Sequence, residues 1–118
     1  MADPPSAVAP SAALRNFERL LAEGKDGALL RFGLGNEYLR RGELNAAVEH
    51  FRRAVELDPD YSAAWKLLGK ALNAGGRVDE ARAAWNDGIA AAQRKGDKQA
   101  LREMQVFVRR LVTQRPQE

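Results

Sequence analysis

The chain has 118 residues and a mass of 13.0 kDa, room for one domain. Hydrophobic residues make up 45% and charged residues 30%, which reads as a soluble globular chain, and no apolar run approaches the roughly 20 residues of a membrane helix. With no cysteine and one histidine, His50, the sequence excludes disulfides, thiolate metal sites, a cysteine nucleophile and two-histidine chemistry. The formal net charge of +3 is unevenly placed. Arg94, Lys95, Lys98, Arg102, Arg109, Arg110 and Arg115 face only Asp97 and Glu103 over residues 94–115, so the basic character belongs to the C-terminal end. A wholly basic nucleic-acid binder distributes its charge differently.

Residues 1–10 carry Pro4, Pro5 and Pro10 and lack the basic start and apolar core of a secretory signal, so they read as a disordered tail. The absence of cysteine fits a reducing, cytoplasmic setting. Residues 11–23 read as a first helix. A second runs from Leu29 to Arg41 and ends at Gly42, suited to the left-handed position that closes a helix. Leu44, Ala47, Val48, Phe51, Ala54 and Val55 then mark one face of a third. Asp58-Pro59-Asp60 is expected to stop that helix and cap the next, and Gly75-Gly76 to close the fourth. Asp79 is the expected N-cap of a fifth helix, which continues to Arg94 before Gly96 breaks it. Leu101, Met104, Val108 and Leu111 place an amphipathic closing helix over 97–114. No segment sustains a period of two, so the chain reads as all helix.

Shifting the sequence by 34 residues aligns Leu34 with Leu68, Gly35 with Gly69, Gly42 with Gly76, Ala47 with Ala81, Phe51 with Trp85 and Val55 with Ile89. Extended backwards, the shift puts Ala13 under Ala47 and Phe17 under Phe51. A repeat of this length built from two helices indicates a stacked helical array. The first unit, 28–61, supplies Leu34-Gly35, Tyr38, Ala47, Phe51, Ala54 and Pro59. The second, 62–95, supplies Trp65, Leu68-Gly69, Ala81 and Trp85. These residues resemble the tetratricopeptide repeat (TPR) family, although Arg31 stands for the leading tryptophan of the first unit, and Leu72, Gly88 and Gln93 depart in the second.

The resemblance implies an all-α, right-handed solenoid of antiparallel hairpins with about six helices. A half-repeat helix at 11–23 precedes the two repeats and a capping helix at 97–114 follows them, together forming a domain over 11–114. Glycines 35 and 69 are expected to admit Ala47 and Ala81 of the paired helix closely. Gly88, in the middle of a helix, implies close approach by another helix, the closing one. Phe32 and Phe107 fall on no signature position.

Other patterns carry little chemistry. Gly33-Leu34-Gly35 meets Tyr38 where a dinucleotide fingerprint needs its third glycine, and no strand precedes it. Gly24-Lys25-Asp26-Gly27 reads as an inter-helix turn. His50, among Glu49, Arg52 and Arg53, is expected to be solvent-exposed and without a functional partner. No catalytic residue, metal site or cofactor is expected, and the chain does not read as an enzyme.

TPR domains hold a peptide or helix in a concave groove lined by the first helix of each repeat. The resemblance therefore implies a groove of Leu29, Phe32, Asn36, Leu39 and Arg40 in the first unit and Ala63, Lys66, Lys70, Asn73 and Ala74 in the second. Lys66 and Lys70 lie one turn apart, which favours a protein or peptide partner bearing carboxylates. The family's two-carboxylate clamp is not implied, because only Asn36 matches it; Phe32, Leu67, Asp97 and Leu101 occupy the other positions. A self-associating helical scaffold, with Leu29, Phe32 and Leu39 as an apolar patch, is the alternative. Nucleic-acid contact through the basic C-terminal helix ranks third, and no membrane role is implied.

Overall fold

The computed structural model describes residues 11–114, with side chains to Leu111. The reading of residues 1–10 as a disordered tail lies outside these described residues. Six helices follow in order: α1 (Ala12–Ala22), α2 (Ala28–Arg40), α3 (Leu44–Leu57), α4 (Ser62–Ala74), α5 (Val78–Lys95) and α6 (Lys98–Gln114), with no strand among the described residues. The helices α2 and α3 form one hairpin and α4 and α5 the next. Helix α1 packs on α2 from one end, and α6 packs on α5 and the edge of α4 at the other.

Local chemistry explains most helix ends. The Ser11 hydroxyl accepts the Leu14 N–H at 3.1 Å and starts α1. Both hairpin turns close at a glycine in the left-handed region, Gly42 at φ +75° and Gly76 at φ +78°, where an L side chain would be strained. Two expected caps are different. The N-cap of α5 is Arg77, and Asp79 sits inside the first turn, paired with Arg82 at 3.1 Å. Asp58 ends α3 and takes the Asp60 N–H at 3.1 Å, whereas α4 starts from Tyr61 without a side-chain cap, and Asp60 binds Arg94 at 2.6 Å.

The core runs unbroken from Ala47, Phe51 and Val55 on α3, through Leu68 and Leu72 on α4 and Trp85 on α5, to Met104 and Leu111 on α6. Close packing depends on missing side chains, but the neighbours differ from those expected. A Cβ on Gly35 would stand 2.6 Å from Phe51 Cδ1, and one on Gly69 would overlap the Trp85 indole; the rings, not Ala47 and Ala81, fill these notches. The indole N–H of Trp85 donates to the Lys66 carbonyl at 3.0 Å, so the bulkiest core residue is also fixed in orientation. Gly88 meets Met104 of α6, as the sequence suggests, and Trp65 of α4 as well.

The start of α6 is held by one carboxylate. Asp97 Oδ1 accepts the Ala100 N–H at 3.1 Å, and Oδ2 accepts the hydroxyl of buried Ser62 at 2.7 Å. These bonds hold the Asp97 carboxyl below the usual carboxylate range. One side chain thus caps α6 and ties it to the start of α4, which sets where the third helix of the groove layer lies.

Candidate peptide-binding groove

The first helices α2 and α4, with α6 entering as a third, form the layer on which the groove residues were placed. In α2 the residues divide sharply. Leu29 is 76% exposed, while Phe32 stacks on Tyr61 with centroids 4.9 Å apart and lies 5.9 Å from the Phe51 ring. Leu39 also packs against the core, Asn36 is half-exposed, and exposed Arg40 donates to Glu37 at 2.9 Å. The apolar patch of Leu29, Phe32 and Leu39 therefore does not stand open as a unit. Two of its three members are engaged internally.

In α4 the two lysines have separate fates. Lys66 Nζ lies 3.2 Å from a Glu103 carboxylate oxygen, so α6 has already supplied its counter-ion. Lys70 is exposed, and its ammonium stands 5.3 Å from the centroid of the Phe107 ring, a cation–π arrangement. Ala63 is half-exposed near the helix start. A cleft of about 270 Å³ opens between α4 and α6, lined by Lys70, Asn73, Ala74, Trp85, Phe107, Arg110 and Leu111. Lys70, Asn73 and Ala74 are thus brought together, whereas Leu29, Asn36 and Arg40 lie on the other helix, outside this cleft.

Phe107 and Arg110 were not among the expected groove residues. Phe107 supplies an apolar wall, tilted against Trp85 at 5.1 Å, and Arg110 adds positive charge on the same side. Their only sequence signals were an aromatic off the signature positions and membership of the basic C-terminal cluster. The cleft can therefore offer the Lys70 ammonium at its rim, an amide that donates and accepts, and an aromatic wall.

Away from this cleft, His50 is not the solvated side chain expected from its charged neighbours. It is half-buried, its ring lies parallel to Tyr38 at 5.5 Å, and Nδ1 accepts from Arg31 at 3.1 Å. Arg31 in turn holds both oxygens of Asp26, at 2.7 and 3.1 Å, while the Tyr38 hydroxyl donates to Glu18 at 2.7 Å. Burial, with the Arg31 charge beside it, lowers the pKa of His50, and burial together with the bond to Glu18 pushes Tyr38 up to about 12. The network joins α1, α2 and α3 structurally. Among the described residues no cluster of His, Asp and Glu could hold a metal ion, and no helix is long and apolar enough to cross a membrane.

These features agree with comparisons to known proteins. The family model described as tetratricopeptide repeat matches residues 10–62 and 32–97. A TPR repeat-containing protein of Pseudomonas aeruginosa is 55% identical over 98 residues, covering 83% of this chain and 93% of that protein. The solution structure of a protein from Bordetella parapertussis superposes with a TM-score of 0.76 at 47% identity, covering 88% of this chain and 90% of that one. The crystal structure of a tetratricopeptide repeat domain protein from Salinibacter ruber gives 0.71 at 28% identity, covering 76% of this chain and all of that one. MamA, at 19% identity and a TM-score of 0.64, shares the fold, with 85% of this chain and 65% of that one covered. The chain belongs to the tetratricopeptide repeat family.

Proposed function

We propose that this chain is a non-catalytic adaptor that takes an acidic peptide segment in the cleft between α4 and α6. The TPR fold suggests a protein-interaction module in general, and proteins of this family are generally non-catalytic scaffolds. The observation that carries the finer reading is the position of Lys70. Its ammonium is exposed at the rim of a cleft walled by Phe107, with Asn73 and Arg110 on the same opening. A carboxylate entering there meets positive charge, and an adjacent apolar side chain meets the aromatic wall. Asn73 can bond an extended backbone in either sense. Lys66 contributes through its pairing with Glu103, which fixes α6 against α4, more than as a donor to the ligand.

Self-association through α2 is the less favoured reading, because only Leu29 of its proposed patch stands well exposed. The decisive variant is Lys70→Glu alone. Reversing Lys66 as well would set a new carboxylate against Glu103 and confuse binding with folding. A fluorescent peptide of alternating Asp, Glu and Leu should bind Lys70→Glu several-fold more weakly than wild type, on the order of 1 kcal/mol, with a flatter salt dependence. Equal binding by a folded Lys70→Glu protein would remove this cleft as the site.

A further inference from the structure

In both hairpins the first helix lies along a second one, α2 along α3 and α4 along α5. Helix α6 packs on α5 as a first helix does, and among the described residues no further helix lies along its other side. Between α5 and α6 lies an open cleft of about 370 Å³, lined by Ile89 of α5 and Gln105, Val108 and Arg109 of α6. Ile89 shows the consequence. Its counterpart one repeat earlier, Val55, is 6% exposed, whereas Ile89 is only half-buried.

The rim of this cleft is distinctive in charge. Lys98, Arg102 and Arg109 are spaced four and seven residues apart, on one exposed face of α6 over a rise of about 16 Å. No ion pair among the described residues involves any of the three. Arginines elsewhere are matched to carboxylates: Arg31 to Asp26, Arg52 and Arg77 to Glu80, Arg82 to Asp79, Arg94 to Asp60. On α5 the exposed neighbours of Ile89 one turn away are Asn86 and Gln93, which are uncharged. An apolar floor, amide flanks and a cationic rim without ion pairs among the described residues occur together at this open cleft.

We propose that this seat docks an amphipathic, acidic helix of a partner protein. Its apolar stripe rests on Ile89 and Val108, and its carboxylates face Arg102 and Arg109. This surface is separate from the α4–α6 cleft and does not depend on that reading. A second copy is a poorer occupant. The half-repeat helix α1 that it would offer carries one carboxylate, Glu18, which already accepts the Tyr38 hydroxyl, so it is not an acidic helix. Nucleic acid is also disfavoured, because no exposed aromatic lies along the stripe to stack a base.

The test uses the full chain and two acetylated peptides of about 18 residues, long enough to hold helix in isolation, sharing a leucine stripe. One is flanked by glutamates and the other by lysines. Titration followed by backbone amide shifts should move Ile89, Gln105 and Val108 with the glutamate peptide. The double variant Arg102→Glu, Arg109→Glu should weaken that binding about tenfold and gain affinity for the lysine peptide. Ile89→Ser should weaken both by a similar, salt-independent factor, while Lys25→Glu, remote on the α1–α2 turn, should change neither. Shifts centred on Lys70 and Asn73, or equal binding of both peptides by wild type, would overturn the proposal. So would competition by a single-stranded oligonucleotide at the rim, or self-association abolished by the double variant.

Discussion

Gly88 offers a sharp test of how the array is held together, because packing and helix propensity pull in opposite directions there. In an unconstrained helix, Gly→Ala stabilises by about 0.8–1 kcal/mol. Here the added Cβ would stand 2.5 Å from Met104 Sδ and 2.6 Å from Trp65 Cβ. The thioether is flexible, but Met104 is fully buried and Trp65 Cβ is tied to the α4 backbone, so neither contact relaxes freely. Overpacking of this kind costs roughly 1–3 kcal/mol, enough to cancel the propensity gain and leave a net loss of about 1 kcal/mol for Gly88→Ala. Gly88→Leu should lose more, about 3 kcal/mol, since the longer side chain has no void to enter.

Urea unfolding followed by circular dichroism gives the comparison, with Met104→Ala and the Gly88→Ala, Met104→Ala pair completing a double-mutant cycle. Met104→Ala alone should cost about 2–5 kcal/mol. The pair should cost less than the sum by at least about 0.5 kcal/mol, because the shorter side chain makes room for the new methyl. If Gly88→Ala stabilised the protein by its full helix propensity, the three-helix contact would not be tight and the reasoning would fail.

Two further outcomes follow from named bonds. The lowered pKa of His50 means that the folded chain favours the neutral imidazole, so its contribution is complete above the unfolded value of about 6.5 and is lost as pH falls from there through the folded pKa. Thermal melting should show a stability decline across that window in wild type that His50→Gln flattens; parallel curves would refute the link. Asp97→Ala should lower stability by about 1 kcal/mol through loss of the α6 cap, and amide exchange should rise at the start of α6 before α5; uniform exchange would show that the cap does not govern this end.

How much of this was legible in the sequence depends on whether an interaction follows the repeat. Helices α2 to α5 and their glycine turns were readable because the same residue types recur at one spacing, and so was the contact of Gly88 with the closing helix. Features that join residues across repeats were not. His50 looks solvated beside Glu49 and Arg52, and only the packing of α2 on α3 brings Tyr38 and Arg31 to it. Lys66 looks available until α6 places Glu103 against it. For Lys66 the register of α6 is the cause: buried Ala100 and Met104 repeat Ala64 and Leu68 of α4 at a spacing of 36, so a shift of 34 does not carry onto this helix.

The same irregularity divides the molecule's charge. Across α2 to α5, ion pairs such as Arg52 with Glu80 and Arg94 with Asp60 bridge neighbouring hairpins, while others, such as Arg77 with Glu80, close turns. Exposed pairs of this type contribute little stability individually, but they match the arginines of these helices to carboxylates. The last helix differs, because its buried face still seals Trp85 while its outer face carries Arg102 and Arg109, with Lys98, in no ion pair among the described residues. A cap needed only for solubility could use either sign, or mixed charges matched among themselves. A row of one sign without ion pairs among the described residues, beside an open cleft, forgoes that neutralisation. The row supplies what an acidic helix would require, which is why charge reversal there separates a cap from a docking seat.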